Sequence, residues 1–217
     1  MALMLLRLLK MRSTPRFGAF FVVPALLALL ASGCGQQAKL APLAPAAVLL
    51  AFGDSLTYGT GANEDESYPA QLARLSGRRV VREGVPGEVS ATGLARLPGV
   101  LDEQRPQLLL LCHGGNDFLR RLPKEQAAEN LRAMIRLAKA RGIDVLLIGT
   151  PEPGLTLTPA AFYAEIAKEF RIPYEGDALT KILRDSTLKA DQVHPNARGY
   201  RLMAERVYEL LKKSGAV

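Results

Sequence analysis

Ala47-Val-Leu-Leu-Ala-Phe-Gly-Asp-Ser-Leu56 begins with six apolar residues and then breaks at a glycine into a polar turn. A short run that is apolar at every position is typical of a strand in a parallel sheet, because helices cover both faces of such a sheet. Three more short runs of three to six residues follow along the chain: Arg79–Val81, Leu108–Cys112 and Asp144–Gly149. The sequence therefore predicts several buried parallel strands.

Helical patterns separate these runs. They cover Tyr68–Ser76, Val89–Gln104, Lys124–Ala140, Pro159–Phe170 and Ala197–Lys213. The third pattern has apolar residues on one helical face, at Ala127, Leu131, Met134, Ile135 and Ala138, and Gly142 supplies its stop signal. Alternating strands and helices predict an α/β fold with helices on both faces of the sheet. Ligands bind to such sheets beyond the carboxyl ends of the strands.

Composition restricts the class of protein. The chain has 28 Lys and Arg against 21 Asp and Glu, 48% hydrophobic residues and two cysteines. These proportions exclude a disordered chain and a disulfide-stapled scaffold. The net charge of +7 comes largely from four basic residues within the first 33, where there is no acid. Since the remainder is nearly balanced, no nucleic-acid partner is expected.

The amino terminus has the pattern of an export signal. The apolar run Phe17–Ala31 follows a basic stretch and leads into Ser32-Gly-Cys34. This run is short for a membrane span, and residues 1–33 are therefore predicted to be a signal peptide. Small residues before a cysteine resemble a bacterial lipobox, which would make Cys34 the site of lipidation. Plain secretion and an uncleaved anchor are the alternatives.

The remaining boundaries follow from this assignment. Residues 34–46, rich in alanine and proline, are predicted to be an extended linker, and residues 47–217 the folded domain. The resemblance to lipoproteins places the protein in the periplasm. Because Gly35 is not the aspartate associated with inner-membrane retention, anchoring in the outer membrane is favoured over a soluble periplasmic protein.

The turn after the first strand contains Gly53-Asp-Ser55. A serine there presents its hydroxyl at the carboxyl edge of the sheet, where the N–H groups of a following helical turn favour an anion. The same turn is also a common helix cap. No glycine-rich phosphate-binding pattern follows any predicted strand, so a nucleotide site is not indicated.

Two further turns end the second and third strands. Gly84 and Gly87 flank a loop that allows close backbone approach, and Gly114-Gly-Asn116 presents a side-chain amide that can donate hydrogen bonds. Each of these patterns also occurs in ordinary turns. Their position at the same sheet edge as Ser55 is what makes them candidates.

A fourth turn, near the carboxyl terminus, contains Asp191-Gln-Val-His194. An aspartate three residues before a histidine can accept a hydrogen bond from Nδ1 and leave Nε2 free to take a proton from a serine. A metal site is disfavoured, because the chain has only two histidines and Cys112 lies within a strand, where a buried inert thiol is expected.

Together these blocks resemble the SGNH, or GDSL, hydrolase family. The likeness runs from about Val48 to Lys213 and is closest to small bacterial arylesterases, thioesterases and lysophospholipases. It rests on four ordered motifs: Gly53-Asp-Ser-Leu56, Gly87, Gly115-Asn-Asp117 and Asp191-Gln-Val-His194. The resemblance implies a flavodoxin-like three-layer α/β/α sandwich with a five-stranded parallel sheet.

The resemblance also implies roles for individual residues. Ser55 would be the nucleophile, His194 the general base and Asp191 its orienting carboxylate. The oxyanion hole would combine the backbone N–H groups of Ser55 and Gly87 with the side-chain amide of Asn116. No cofactor or metal is implied.

Some residues depart from the family pattern or have open roles. Arg82 and Glu88 stand where the second block often has asparagine and aspartate. Neither is expected to touch the reacting atoms, although Arg82 could shape the loop. Asp117 is predicted to tie its own loop together. His113 is interpreted as a loop or pocket-wall residue, with a second acid/base role as the alternative.

The substrate is predicted less closely than the reaction. Without a long lid segment, the site is expected to be an open groove for single acyl chains, such as small-molecule esters, thioesters or lysophospholipids. Leu155–Thr158 could line an acyl channel or be a plain connecting loop. Deacetylation of envelope polysaccharide is an alternative activity, and a binding module without turnover is an alternative class. A monomer is expected.

Overall fold

The computed structural model describes residues 38–154 and 157–217, which fall within one unit that extends from Gln37 to Val217. Its strands are β1 (Val48–Gly53), β2 (Arg79–Gly84), β3 (Leu108–Cys112), β4 (Asp144–Ile148) and β5 (Tyr174–Glu175). Its helices are α1 (Ser55–Tyr58), α2 (Tyr68–Ser76), α3 (Ser90–Gln104), α4 (Gly115–Leu119), α5 (Lys124–Ala140), α6 (Ala161–Phe170), α7 (Ala178–Arg184) and α8 (Ala197–Ser214).

The five strands form one parallel sheet in the order β2-β1-β3-β4-β5. The chain begins in β1, moves to one edge at β2 and returns past β1 to β3. The strand order therefore reverses beside β1, which is where open α/β sheets form their binding crevice. The register pairs Gly53 at the end of β1 with Gly84 of β2 and with Cys112 of β3, so these three strands end at the same level.

Alternating side chains of the strands fill two separate apolar layers. In β1, Leu49 and Ala51 pack with α2 and α8 on one face, whereas Leu50 and Phe52 pack with α3, α5 and α6 on the other. All four side chains are fully buried. The three-layer α/β/α sandwich with a five-stranded sheet is therefore confirmed.

Element bounds agree closely with the patterns in the sequence. The predicted stripe of α5 is fully buried, and Gly142 has the positive φ of 72° expected at its stop. Strand β2 differs from the prediction, since it extends beyond Val81 to Gly84. It is only half-buried because it lies at the edge of the sheet. The sequence analysis missed β5, α4 and α7, whose two, five and seven residues are too short for a clear periodic pattern.

The predicted linker needs a correction. From Lys39 onward the chain lies against the domain: Leu40 and Leu43 donate backbone hydrogen bonds to the carbonyls of Ser214 and Ala216, and both leucines belong to a core layer. The packed domain thus begins about seven residues before Ala47. Alanine and proline suggested a free linker, but the two leucines between them provide apolar surface to bury.

The predicted signal peptide, residues 1–33, and the lipidation site Cys34 lie outside the described residues. In the part of the chain that is described, no helix has the length and apolarity needed to cross a bilayer.

Candidate active site

Ser55 is the first residue of α1, directly beyond the end of β1. Asp54 caps this helix, since its Oδ1 accepts a hydrogen bond of 3.0 Å from the N–H of Leu56. The sharp turn requires Gly53: a Cβ there would lie 1.9 Å from the carbonyl oxygen of Cys112. The glycine therefore lets β1 and β3 end side by side while the chain turns to present the serine.

The predicted series of hydrogen bonds is present. The hydroxyl of Ser55 lies 3.0 Å from Nε2 of His194, and Nδ1 of His194 lies 2.8 Å from Oδ2 of Asp191. The other carboxylate oxygen, Oδ1 of Asp191, accepts hydrogen bonds from the backbone N–H groups of Val193 and His194 at 2.8 and 2.9 Å. One aspartate therefore shapes the turn and orients the imidazole.

These contacts keep the aspartate ionised. Burial acts to raise the pKa of the Asp191 carboxyl, but hydrogen bonds from the His194 side chain and from two backbone N–H groups lower this pKa below its ordinary value. A carboxylate at this position accepts the proton on Nδ1 of His194. The lone pair of Nε2 then faces the hydroxyl of Ser55.

The two other predicted residues lie beside the serine. Gly87 has a φ of 77°, and Asn116 is in the first turn of α4. No carbonyl or side chain among residues 38–154 and 157–217 accepts a hydrogen bond from the backbone N–H of Ser55 or of Gly87. The amide Nδ2 of Asn116 donates to the backbone carbonyl of Glu88 at 3.1 Å and to Oδ2 of Asp54 at 3.3 Å.

These groups share a cavity of about 280 Å³ at the carboxyl edge of the sheet. Its walls are mostly apolar, and the polar groups that line it include Ser55, Asn116 and His194. The apolar residues that line it include Leu56, Pro86, Leu119, Pro151, Pro153, Leu157, Leu183 and Val193. Such a cavity can enclose a hydrocarbon chain whose carbonyl end meets Ser55.

The structure answers two of the open questions about flanking residues. His113, interpreted from the sequence as a loop or pocket-wall residue, does lie in the loop between β3 and α4, but it is fully buried and does not line the cavity, so only the first of these alternatives is confirmed. Asp117 is buried and accepts two hydrogen bonds from Ser90, from the backbone N–H at 2.8 Å and the hydroxyl at 2.6 Å. Asp117 therefore ties α4 to the start of α3, in agreement with the structural role predicted for it.

Arg82 and Glu88 also stay away from the serine. Arg82 forms an ion pair with Glu64 and lies 4.7 Å from the ring centroid of Tyr58. Glu88 is buried beneath the loop that carries Gly87 and contacts His113. The prediction that Cys112 is buried is confirmed, and this burial raises the pKa of its thiol well above the ordinary value, as expected for an unreactive thiol.

Sequence reasoning missed several residues of the site. Leu183 reaches the cavity from α7, and Thr150 from the loop after β4. Nothing in the local sequence of Leu183 indicates this, because only the folding of α7 against α8 brings it to the edge, whereas Thr150 directly follows a predicted strand, where ligands are expected to bind. Of the predicted channel segment, Leu157 lines the cavity, while Leu155 and Thr156 lie outside the described residues.

A serine, a histidine and a carboxylate in hydrogen-bonded series at this edge of a parallel sheet define the class of serine-dependent hydrolases. The model of the GDSL-like lipase/acylhydrolase family matches residues 51–202, and the chain belongs to this family of ester hydrolases.

The sequences of curated relatives align with most of the chain. Esterase TesA of Pseudomonas aeruginosa is 33% identical over 198 residues, which cover 85% of this chain and 98% of the relative. Thioesterase 1/protease 1/lysophospholipase L1 of Escherichia coli is 34% identical over 161 residues, 70% of this chain and 77% of the relative. The crystal structure of TesA matches with a TM-score of 0.68 at 30% identity, over 77% of this chain and 99% of that one.

Proposed function

We propose that this protein hydrolyses carboxylic esters and thioesters of single acyl chains through an acyl-enzyme on Ser55. The observation that carries the proposal is the unbroken series of hydrogen bonds from the Ser55 hydroxyl through His194 to Asp191. Ser55 and His194 line an apolar cavity. Two backbone N–H groups of the same cavity are left without an acceptor among the described residues.

In the first half of the reaction, the Ser55 oxygen bonds to the acyl carbonyl carbon while Nε2 of His194 takes the hydroxyl proton. The negative charge that develops on the carbonyl oxygen is stabilised by the N–H groups of Ser55 and Gly87 and by Nδ2 of Asn116. The 3.3 Å bond from Asn116 to Asp54 is the weaker of its two, so this N–H is the one that turns to the oxyanion.

In the second half, the bond from the carbonyl carbon to the alcohol or thiol breaks, and the leaving group takes the proton from His194. Water then attacks the acyl-serine while His194 accepts one of its protons. The ester bond to Ser55 breaks, the serine regains its proton and the free acid leaves. Throughout, the Asp191 carboxylate stabilises the imidazolium.

The cavity supports an acyl chain as the group bound beside the serine. Its volume of about 280 Å³ is just below the roughly 300–1,000 Å³ of small-molecule sites, which suits one acyl chain better than a triglyceride. Relatives carry the names esterase, thioesterase and lysophospholipase. An acetylated polysaccharide would need polar side chains for its hydroxyls, and apolar residues dominate this lining.

The proposal is tested with a series of p-nitrophenyl esters of increasing acyl length and with a fluorophosphonate probe. We expect hydrolysis of the esters and labelling of the protein at Ser55, found by mass spectrometry of the labelled peptide. Ser55→Ala should lose both, because no acyl-serine can form, whereas Ser76→Ala, a remote serine, should retain both. Labelling at another residue would contradict the assignment.

Export and anchoring form a separate part of the proposal. A signal peptide over residues 1–33 and lipidation of Cys34 would hold the domain at the periplasmic face of the outer membrane. The basic stretch, the short apolar run and the small residues before Cys34 support this.

Metabolic labelling with a fatty acid tests the anchor. We expect the wild-type chain to take up label and sediment with membranes, and Cys34→Ala to lose the label and appear in the soluble periplasmic fraction. The variant Cys112→Ala, which changes the buried cysteine, serves as the matched control and should keep the label. An unlabelled wild-type protein would point instead to a soluble periplasmic enzyme.

A further inference from the structure

We propose that Glu88 and His113 form a buried positioning pair that fastens together the two loops of the oxyanion hole. Glu88 follows Gly87 in the loop after β2, and His113 begins the loop after β3 that carries Asn116. The inference rests on the proposed function, because it assigns the pair a part in the same reaction.

The geometry fixes the donor and the acceptor of this contact. The ring of His113 is fully buried, and Nε2 lies 3.2 Å from Oε2 of Glu88, whose side chain is only 2% exposed. The backbone N–H of Gly114 donates to Nδ1 of His113 at 3.0 Å. Since Nδ1 accepts that hydrogen bond, the ring proton is on Nε2 and is donated to Glu88.

The carboxylate of Glu88 is also bound by an arginine. The guanidinium of Arg96 contacts both carboxylate oxygens at 3.0 Å and also binds Glu83 at 3.1 Å. The same guanidinium lies 4.2 Å from the ring centroid of Phe52. Burial acts to raise the pKa of the Glu88 carboxyl, but hydrogen bonds from His113 and Arg96 lower it below its ordinary value, so the acceptor is a carboxylate.

The backbone of the pair reaches the oxyanion donors directly. The carbonyl of Glu88 accepts the 3.1 Å hydrogen bond from Nδ2 of Asn116, and Gly87, whose N–H is another of the proposed donors, directly precedes Glu88 in the chain. The carbonyl of His113 accepts a hydrogen bond of 2.7 Å from the hydroxyl of Tyr163 on α6. A shift of either loop would thus change the distance between the Gly87 N–H and the Asn116 amide.

Helix α3 has a glycine where the pair needs space. A Cβ at Gly93 would lie 2.4 Å from Nε2 of His113 and 3.3 Å from Oε2 of Glu88. Glycine within a helix costs about 0.5–1 kcal/mol relative to alanine. Its presence in α3 is accounted for by the imidazole that it accommodates.

The pair acts through other residues and does not touch the substrate. Neither His113 nor Glu88 lines the cavity, and this argues against the second acid/base role for His113. A misplaced oxyanion donor lowers kcat more than KM, because the donor binds charge that develops only in the transition state.

The test is a double-mutant cycle on p-nitrophenyl butyrate. We expect His113→Leu to lower kcat about 10- to 100-fold, the effect of displacing a catalytic group by about 1 Å, with little change in KM. His113→Gln should recover much of this loss, because its amide N–H can replace Nε2. In the Asn116→Ala background, His113→Leu should have a much smaller effect, because one of the positioned donors is already absent.

Equal effects of His113→Leu in both backgrounds, or no effect on kcat in the wild type, would overturn the inference. Ile135→Val, a core change on α5, is the control for lost stability and should leave kcat unchanged. Gly93→Ala provides an independent variant, expected to lower kcat by displacing the pair. If the wild-type protein itself neither hydrolyses the ester nor is labelled at Ser55, the proposed function fails, whereas additive effects in an active enzyme reject only the pair.

Discussion

Among single residues, Asp54 links the predicted nucleophile to the predicted oxyanion hole. It is 1% exposed, caps α1 through Oδ1 and accepts from Asn116 through Oδ2. Burial raises the pKa of the Asp54 carboxyl. The residue before the serine therefore does more than shape a turn, since it contacts the side chain that is proposed to bind the oxyanion.

The first prediction concerns Asn116. We expect Asn116→Ala to lower kcat for p-nitrophenyl esters by about 10² to 10³, because one of three donors to the oxyanion is lost. KM should change little, since this bond forms mainly in the transition state. Steady-state kinetics with a thermal melt to verify folding provide the measurement. Asn63→Ala, at an exposed asparagine that does not line the cavity, should keep the wild-type kcat, and an equal loss there would argue against the assignment.

Among the elements, α8 and the segment before it decide where the histidine lies. Residues 185–196 connect α7 to α8 and carry both Asp191 and His194. The segment folds back on α8 because the N–H of Asn196 donates to the carbonyl of Leu188 at 3.0 Å, while its side chain caps the helix at Gly199. A Cβ at Gly199 would lie 2.1 Å from the same carbonyl of Leu188. The close approach of helix and segment therefore requires glycine.

The second prediction compares two helical glycines. Gly199→Ala should lower the free energy of unfolding by about 1–3 kcal/mol through overpacking and should also lower kcat, because the segment with His194 must move. Gly99→Ala is the matched control, because a Cβ at this position meets no atom within 4 Å. This variant should have a free energy of unfolding about 0.5–1 kcal/mol higher than the wild type, and its kcat should be unchanged. Denaturant unfolding and ester hydrolysis measure both. A stable, fully active Gly199→Ala variant would contradict the packing argument.

At the scale of the whole molecule, the residues at the two ends of the described chain pack against each other in one apolar layer. Leu40 and Leu43 pack in the same layer as Val207 and Leu211 of α8, and Ala41 donates a backbone hydrogen bond of 2.9 Å to Asp144 at the start of β4. This contact lies at the amino ends of the strands, opposite the edge with the cavity. It contributes to stability without reaching the site.

The third prediction follows from this contact. A chain that begins at Ala47 should have a free energy of unfolding about 2–4 kcal/mol lower than a chain that begins at Ala38, because two leucines lose their burial, partly offset by the freedom regained by the segment. The value of kcat should be the same, since the site is at the other edge. Equal stability of the two chains, by urea unfolding, would show that the segment contributes nothing and would restore the predicted linker.

The sequence by itself determined the central strands of the sheet, most of the helices and the chemistry of the site. Uniformly apolar runs identify β1, β3 and β4, because a strand covered on both faces needs apolar side chains at every position. Ser55 was identifiable because its motif directly follows a predicted strand, where the fold places its ligands, and His194 because an aspartate stands three residues before it in a turn that leads into a predicted helix. These features can be predicted because each depends on residues that are close together in the sequence.

Only the tertiary structure decided which distant residues meet. The pairing of Glu88 with His113, the entry of Leu183 into the cavity and the burial of Leu40 against α8 have no local pattern. Each of these contacts depends on how whole helices, strands and loops pack against one another. Residues far apart in the sequence meet only through this packing, so no local sequence pattern predicts the contacts. The sequence supplied the reacting groups, whereas packing supplied the contacts that hold them in place.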